Sequence, residues 1–92
     1  MIRLNCFLKV TEEHRADVLE AAKRLTAASL EQDGCVAYDI FESATRRDVL
    51  MICETWRDKA SLDAHSASEP FLKEVALMRS LAEMKLEVFP FK

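Results

Sequence analysis

Glu54, Trp56 and His65 fall within one short stretch, ETWRDKASLDAH, and they are the residues of this chain best suited to chemistry. A carboxylate, an indole and an imidazole could together wall a reaction site, with the imidazole titrating nearest neutrality. Glu54 and Trp56 are two residues apart, so on a strand both project from the same face. His65 closes the short helix that follows. Asn5 interrupts the first apolar strand, and Tyr38 lies mid-strand, with Phe7, Phe41 and Phe71 as candidate neighbours. Each also has an ordinary explanation. Asn5 suits an exposed edge, and Trp56 suits the cover of a core. Glu54 could pair with Lys59, and His65 could face solvent at a helix C-terminus, where its charge favours the dipole. His14, in the first turn of a helix, reads as surface.

Other chemistries are excluded. A single Gly cannot build a dinucleotide or phosphate loop. The two His are far apart, with no H-x-x-x-H and no acidic cluster, so no metal site is expected. No Ser sits in a nucleophile elbow. Cys6, Cys35 and Cys53 are odd in number and form no C-x-x-C; they read as buried small hydrophobes in a reducing compartment. The net charge of −3 is spread without a basic run, which argues against nucleic acid and against a membrane surface. MIRLNCFLKV alternates and carries polar residues, unlike a signal peptide, and no apolar run is long enough to span a bilayer. A soluble cytoplasmic protein is expected.

The elements that must position these residues follow from periodicity. Ile2, Leu4, Cys6, Leu8 and Val10 share one face of a strand, with Arg3, Asn5, Phe7 and Lys9 on the other. Thr11 is a plausible N-cap for a helix reaching about Gln32, with Val18, Leu19, Ala22, Leu25 and Leu30 as its apolar stripe. Gly34 follows as a left-handed cap. CVAYDIFES and DVLMICETW form a hairpin, with Val36, Tyr38 and Ile40 on one face of its first strand and Cys35, Ala37, Asp39 and Phe41 on the other. Asp58 caps a helix to His65, Pro70 opens another through Met84, and KLEVFPF closes the chain, Pro90 marking a strand end or edge. The order β-α-β-β-α-β predicts one α+β domain over residues 1–92, a ferredoxin-like antiparallel sheet with helices on one face.

That sheet has apolar residues on both faces. Val49, Met51 and Cys53 oppose Leu50 and Ile52, Phe7 opposes the five apolar residues of its strand, and Phe89 and Phe91 oppose Leu86 and Val88. Helices cover one face only. The other would leave an apolar patch larger than monomers usually expose, so a two-fold homodimer through the sheet face is expected.

The stretch ETWRDKASLDAHSASEPF resembles the signature of the antibiotic biosynthesis monooxygenase (ABM) domain family: a strand ending Glu-x-Trp, a short helix closing on His, then a Ser and an aromatic opening the next helix. Glu54, Trp56, His65, Ser68 and Phe71 match it, and Asp33, Gly34 and Tyr38 match the acidic-Gly-x-x-x-Tyr start of an earlier strand. The resemblance covers nearly the whole chain. It implies a dimeric α/β barrel of ferredoxin-like subunits, each with a pocket between helices and sheet. Similar members include cofactor-free oxygenases of quinols and polycyclic phenols, haem-degrading enzymes and an isomerase of a phosphorylated sugar. Haem degradation would use an Asn on the first strand, which Asn5 supplies, but also a Trp where His65 stands and a ligand His in the following helix; residues 66–92 contain no His. The sugar-phosphate branch would want basic pocket residues, for which Arg3, Arg46 and Arg47 are the candidates.

The resemblance therefore implies a cofactor-independent monooxygenase acting on a small aromatic with O2, needing no flavin, haem or metal. His65 would take or relay the phenol proton. Asn5 would donate a hydrogen bond to the developing oxyanion. Trp56 completes the catalytic set, and Tyr38, Phe7, Phe41, Glu54 and Phe71 would bind the ring. The competing readings are a non-catalytic dimeric ligand-binding or stress-response module, and an isomerase on the same fold. They part on whether His65 and Asn5 converge on one enclosed pocket.

Overall fold

Residues 1–90 are described in a computed structural model of the chain. Strand β1 (Ile2–Val10) leads into helix α1 (Glu12–Leu30), followed by the hairpin β2 (Cys35–Glu42) and β3 (Val49–Trp56). Helices α2 (Lys59–Ser66) and α3 (Glu69–Leu81) come next, and α3 runs straight into β4 (Ala82–Pro90). The sheet has the order β2-β3-β1-β4 and is antiparallel throughout, the ferredoxin-like arrangement that the pattern predicts. Phe91, expected on the outer face of the last strand, lies outside the described residues.

The core forms because period-2 strands and a period-3.6 helix present their apolar sides to one another. Leu4, Cys6, Leu8 and Val10 of β1 and Leu50, Ile52 and Trp56 of β3 are buried beneath Val18, Ala21, Ala22 and Leu25 of α1 and Val75 and Met78 of α3. The buried stripe of α1 continues through Ser29, four residues after Leu25, so Leu30 turns outward, 53% exposed, and the helix stops there. The stripe through Leu30 and the helix end at Gln32 expected from periodicity are corrected accordingly. Glu74 of α3 is buried, and Arg24 of α1 donates to both its oxygens at 2.8 and 3.1 Å, a bidentate clip across the helix pair. That guanidinium holds the Glu74 carboxyl below its ordinary pKa.

Two local features set the ends of these elements. Cys35 pairs with Trp56 while Ala37 pairs with Thr55, so β2 holds one extra residue, a β-bulge. Val36 is pushed out and exposed, and Cys35 packs on the core beside Tyr38 and Ile40, reversing the expected faces at the start of β2. Gly34 adopts φ +83°, but in the turn entering β2; the C-cap position of α1 is Glu31. A Cβ on Gly34 would fall 2.0 Å from Ser61 Oγ and 2.3 Å from its Cβ. The missing side chain thus lets the first turn of α2 seat against the α1–β2 turn. Asp58 caps that helix by accepting from Ser61 N at 2.8 Å.

Candidate active site

A cavity of about 130 Å3 lies between the helices and the sheet. Its floor is two cross-strand rows, Tyr38–Glu54–Leu4 and Ile52–Cys6–Leu86, running from β2 to the edge strand β4. Its roof is Leu25 of α1, Leu62 and Ser66 of α2, and Phe71, Val75, Met78 and Arg79 of α3. The lining is mostly apolar, which is the usual character of a small-molecule site. Burial pushes the Cys6 thiol up to about 11, so it remains protonated and unreactive.

At the inner end sits a buried polar cluster. Glu54 is 7% exposed and accepts a hydrogen bond from Trp56 Nε1 at 2.9 Å. His65 Nε2 stands 3.9 Å from the same carboxylate oxygen. The imidazole is 2% exposed, held between the rings of Trp56 (centroids 4.4 Å apart), Phe71 (5.1 Å) and Tyr38 (5.6 Å). Gln32, in the turn after α1, fixes which nitrogen carries the proton. Ser68 Oγ donates to the His65 carbonyl at 2.6 Å and accepts from Gln32 Nε2 at 3.1 Å, which leaves Gln32 Oε1 facing His65 Nδ1 at 2.7 Å. Nδ1 must then be the donor, so neutral His65 keeps a bare Nε2, a buried atom with no hydrogen-bond partner, aimed at Glu54.

Burial drives both members of this pair toward neutrality. It raises the Glu54 carboxyl, against hydrogen bonds from Trp56 and Tyr38 that pull it back, and it lowers His65 to about 4. Tyr38 is pushed far above its ordinary value by burial and by the nearby Glu54, so it keeps its proton and is a hydrogen-bond donor. Glu54 thus lies between the cavity and His65, whose bare Nε2 is 3.9 Å from it, beyond hydrogen-bond distance.

The structure brings together Tyr38, Glu54, Trp56, His65 and Phe71, as anticipated, but refines their order. His65 lies behind the cavity wall, and Glu54 is the carboxyl that borders the cavity in front of it. Glu54 does not pair with Lys59, which bonds Asp63 instead. The expected convergence of His65 and Asn5 is corrected: Asn5 pairs with Cys53 and Glu87 in register and points to the outer face of the sheet, away from the helices, so the convergence that was to favour an oxygenase over a binding module is absent. Phe7 and Phe41 stand on that same outer face, 37% and 48% exposed, and do not line the cavity. Of the basic candidates, Arg3 is on the outer face, Arg46 pairs with Asp48, and Arg47 with Glu12. Gln32 was not foreseen. Among the described residues no group of three His, Cys, Asp or Glu could hold a metal ion, and no helix is long and apolar enough to cross a membrane.

A two-layer ferredoxin-like fold with an apolar cavity closed by a Glu-x-Trp strand end and a helix-end His defines a class, and comparison with known proteins gives it a name. The family model for antibiotic biosynthesis monooxygenase (ABM) matches residues 1–77, and the chain belongs to that family. A Bacillus subtilis (strain 168) protein, "Putative monooxygenase YcnE", is 31% identical over 88 residues, covering 96% of this chain and 93% of that protein. The crystal structure of a conserved protein of unknown function from Bacteroides thetaiotaomicron VPI-5482, described as a possible oxidoreductase, superposes with a TM-score of 0.97 at 56% identity, covering 98% of this chain and 96% of the other. SnoaB, a cofactor-independent oxygenase from Streptomyces nogalater, shares the fold with a TM-score of 0.88 at 16% identity, over 99% of this chain and 92% of its own.

Proposed function

We propose that this protein is a cofactor-independent monooxygenase that oxidises a small aromatic, a quinol or polyphenol, with O2. The observation that carries the reading is the bare, buried Nε2 of His65 behind Glu54 at the closed end of an apolar cavity. At about 130 Å3 the cavity is slightly smaller than the roughly 150 Å3 that holds a benzene ring, so with its open end it favours a single ring over a polycycle.

A ring hydroxyl placed at Glu54 gives its proton to the carboxyl as the carboxyl's own proton passes to His65 Nε2, and Gln32 holds the resulting imidazolium. Tyr38, kept protonated, donates to Glu54 and steadies the carboxyl that meets the ligand, while Asn5 on the outer face takes no part. The electron-rich anion then reduces O2. A ring carbon bearing hydrogen forms a bond to oxygen, and the returning proton makes a hydroperoxide. That carbon loses its hydrogen as a proton, the O–O bond breaks, and water leaves behind a carbonyl. One atom of O2 ends in the product and one in water. The arene supplies every electron, so no other reductant is required. The test is O2 uptake by metal-free, flavin-free protein with a panel of single-ring hydroquinones. Uptake should exceed autoxidation and fall by roughly 10²- to 10⁴-fold in His65→Ala, the usual scale for losing a general base. Uptake no faster than autoxidation with every quinol would reject the oxygenase.

The outer sheet face supports a homodimer. Phe7, Phe41 and Phe89 are exposed there beside half-buried Val49, Met51 and Cys53, and Asn5 Oδ1 is hidden among them with no hydrogen-bond partner. A second copy related by a two-fold axis would cover the same patch on both subunits. Sedimentation equilibrium should give twice the chain mass for the wild type and a shift toward monomer for Phe7→Asp. A monomeric wild type at micromolar concentration would exclude the assembly.

A further inference from the structure

We infer that Arg79 reads an anionic substituent at the mouth of the cavity, so that the ligand is a single-ring aryl carboxylate, with its carboxylate at Arg79 and a hydroxyl at Glu54. Arg15, Arg24, Arg46, Arg47 and Arg57 each form an ion pair with an acid. Arg79 forms none among the described residues, yet it lines the cavity. Arg3 is likewise unpaired, but on the outer face of β1. In the adjoining surface groove, which Arg79 also borders, Asp48 already bonds Arg46, and Glu83 lies beyond ion-pair distance of Arg79. The Arg79 charge is felt inside the cavity, where it lowers the Cys6 thiol against burial.

The geometry gives the ligand a direction. The cavity runs across the sheet from buried Glu54 on β3 to Leu86 on β4, which is exposed and marks the open end with Arg79 from the last turn of α3. Strands lie roughly 4.8 Å apart, and β1 separates β3 from β4, so the two ends are on the order of 10 Å apart. That is the reach of one ring with a polar group at each end. The guanidinium at the outer end can bind a carboxylate bidentately, in the fork geometry suited to carboxylates, while Glu54 at the inner end takes the hydroxyl.

The proposal rests on the cavity being the aromatic-substrate site, but its test reads binding without oxidation. Titration calorimetry of the whole protein with sodium benzoate and with benzamide compares a charged ring with a neutral one of the same shape. Benzoate should bind roughly tenfold or more tightly than benzamide, the usual scale of a charge-assisted hydrogen bond. The preference should vanish in Arg79→Gln and be partly kept in Arg79→Lys. Equal affinity for the two rings, a preference that survives Arg79→Gln, or no binding of either would overturn it. Arg79-dependent benzoate binding without O2 uptake on any hydroxybenzoate would uphold the anion site while counting against the oxygenase.

Discussion

Glu54→Gln is expected to lower turnover by roughly 10²- to 10⁴-fold with KM little changed, as for loss of a general acid–base group that binds the ground state no better than its replacement. The substitution is mild structurally. The amide oxygen can still accept from Trp56 Nε1, and the amide occupies the space of the carboxyl. What is lost is the exchangeable proton between ligand and imidazole. Stability should move with a definite sign. Burial raises the folded-state pKa of Glu54 above its unfolded value, so its favourable contribution is present at low pH and is lost as pH rises through the folded pKa. Urea denaturation should therefore show wild type losing stability relative to Glu54→Gln as pH rises above about 4.5. His65, lowered to about 4, acts oppositely: its neutral form is favoured in the fold, so stability is lost as pH falls from about 6.5 toward 4. A Glu54→Gln enzyme with wild-type turnover would remove the relay, and a pH-independent stability difference would remove the buried-carboxyl account.

Much of this site could be read from strand alternation alone. Glu54 and Trp56 share a face because they are two residues apart, and that face is the core side because Leu50 and Ile52 precede them in phase. The same alternation sets Asn5 against Leu4 and Cys6, on the outer face; the family pattern drew Asn5 to the site, and the strand's own period was the better guide. Phe41 falls outside for the same reason. Val36 was misplaced because a bulge adds a residue without any mark in composition. Gln32 was invisible. It lies 33 residues from His65, in a polar helix end where a glutamine looks solvated, and only the packing of α2 on the turn reveals its partner. Arg79 was not singled out in the sequence for a similar reason: its distinction is the ion pair it lacks among the described residues, and pairing is a tertiary property. The surplus apolar face was legible because it needs only a count of which residues helices can cover.

That packing makes Gly34 the residue whose substitution should cost the fold most for its size. Gly34→Ala meets two separate penalties. A left-handed φ of +83° costs an L-residue about 1–2 kcal/mol. The new Cβ would overlap both Oγ and Cβ of Ser61, and because Cβ is not a flexible tip, α2 itself must move; overpacking of this kind typically costs about 1–3 kcal/mol. A total loss of roughly 3 kcal/mol is expected in urea denaturation. Combining it with Ser61→Gly separates the two penalties. The double-mutant cycle should return a favourable coupling of about 1–2 kcal/mol, the overlap, and leave the backbone cost unrecovered. The functional consequence travels along the same helix. Ser61 is in the first turn of α2 and His65 in its last, so a displaced α2 withdraws the imidazole from Gln32 Oε1, now 2.7 Å away. The proton on Nδ1 loses its acceptor, and 15N shifts of His65 should show the Nδ1–H tautomer giving way to a mixture in Gly34→Ala and recovering in the double variant. A coupling near zero, or an unchanged His65 tautomer in the destabilised single variant, would mean that Gly34 serves only its own backbone and that the seating of α2 does not depend on it.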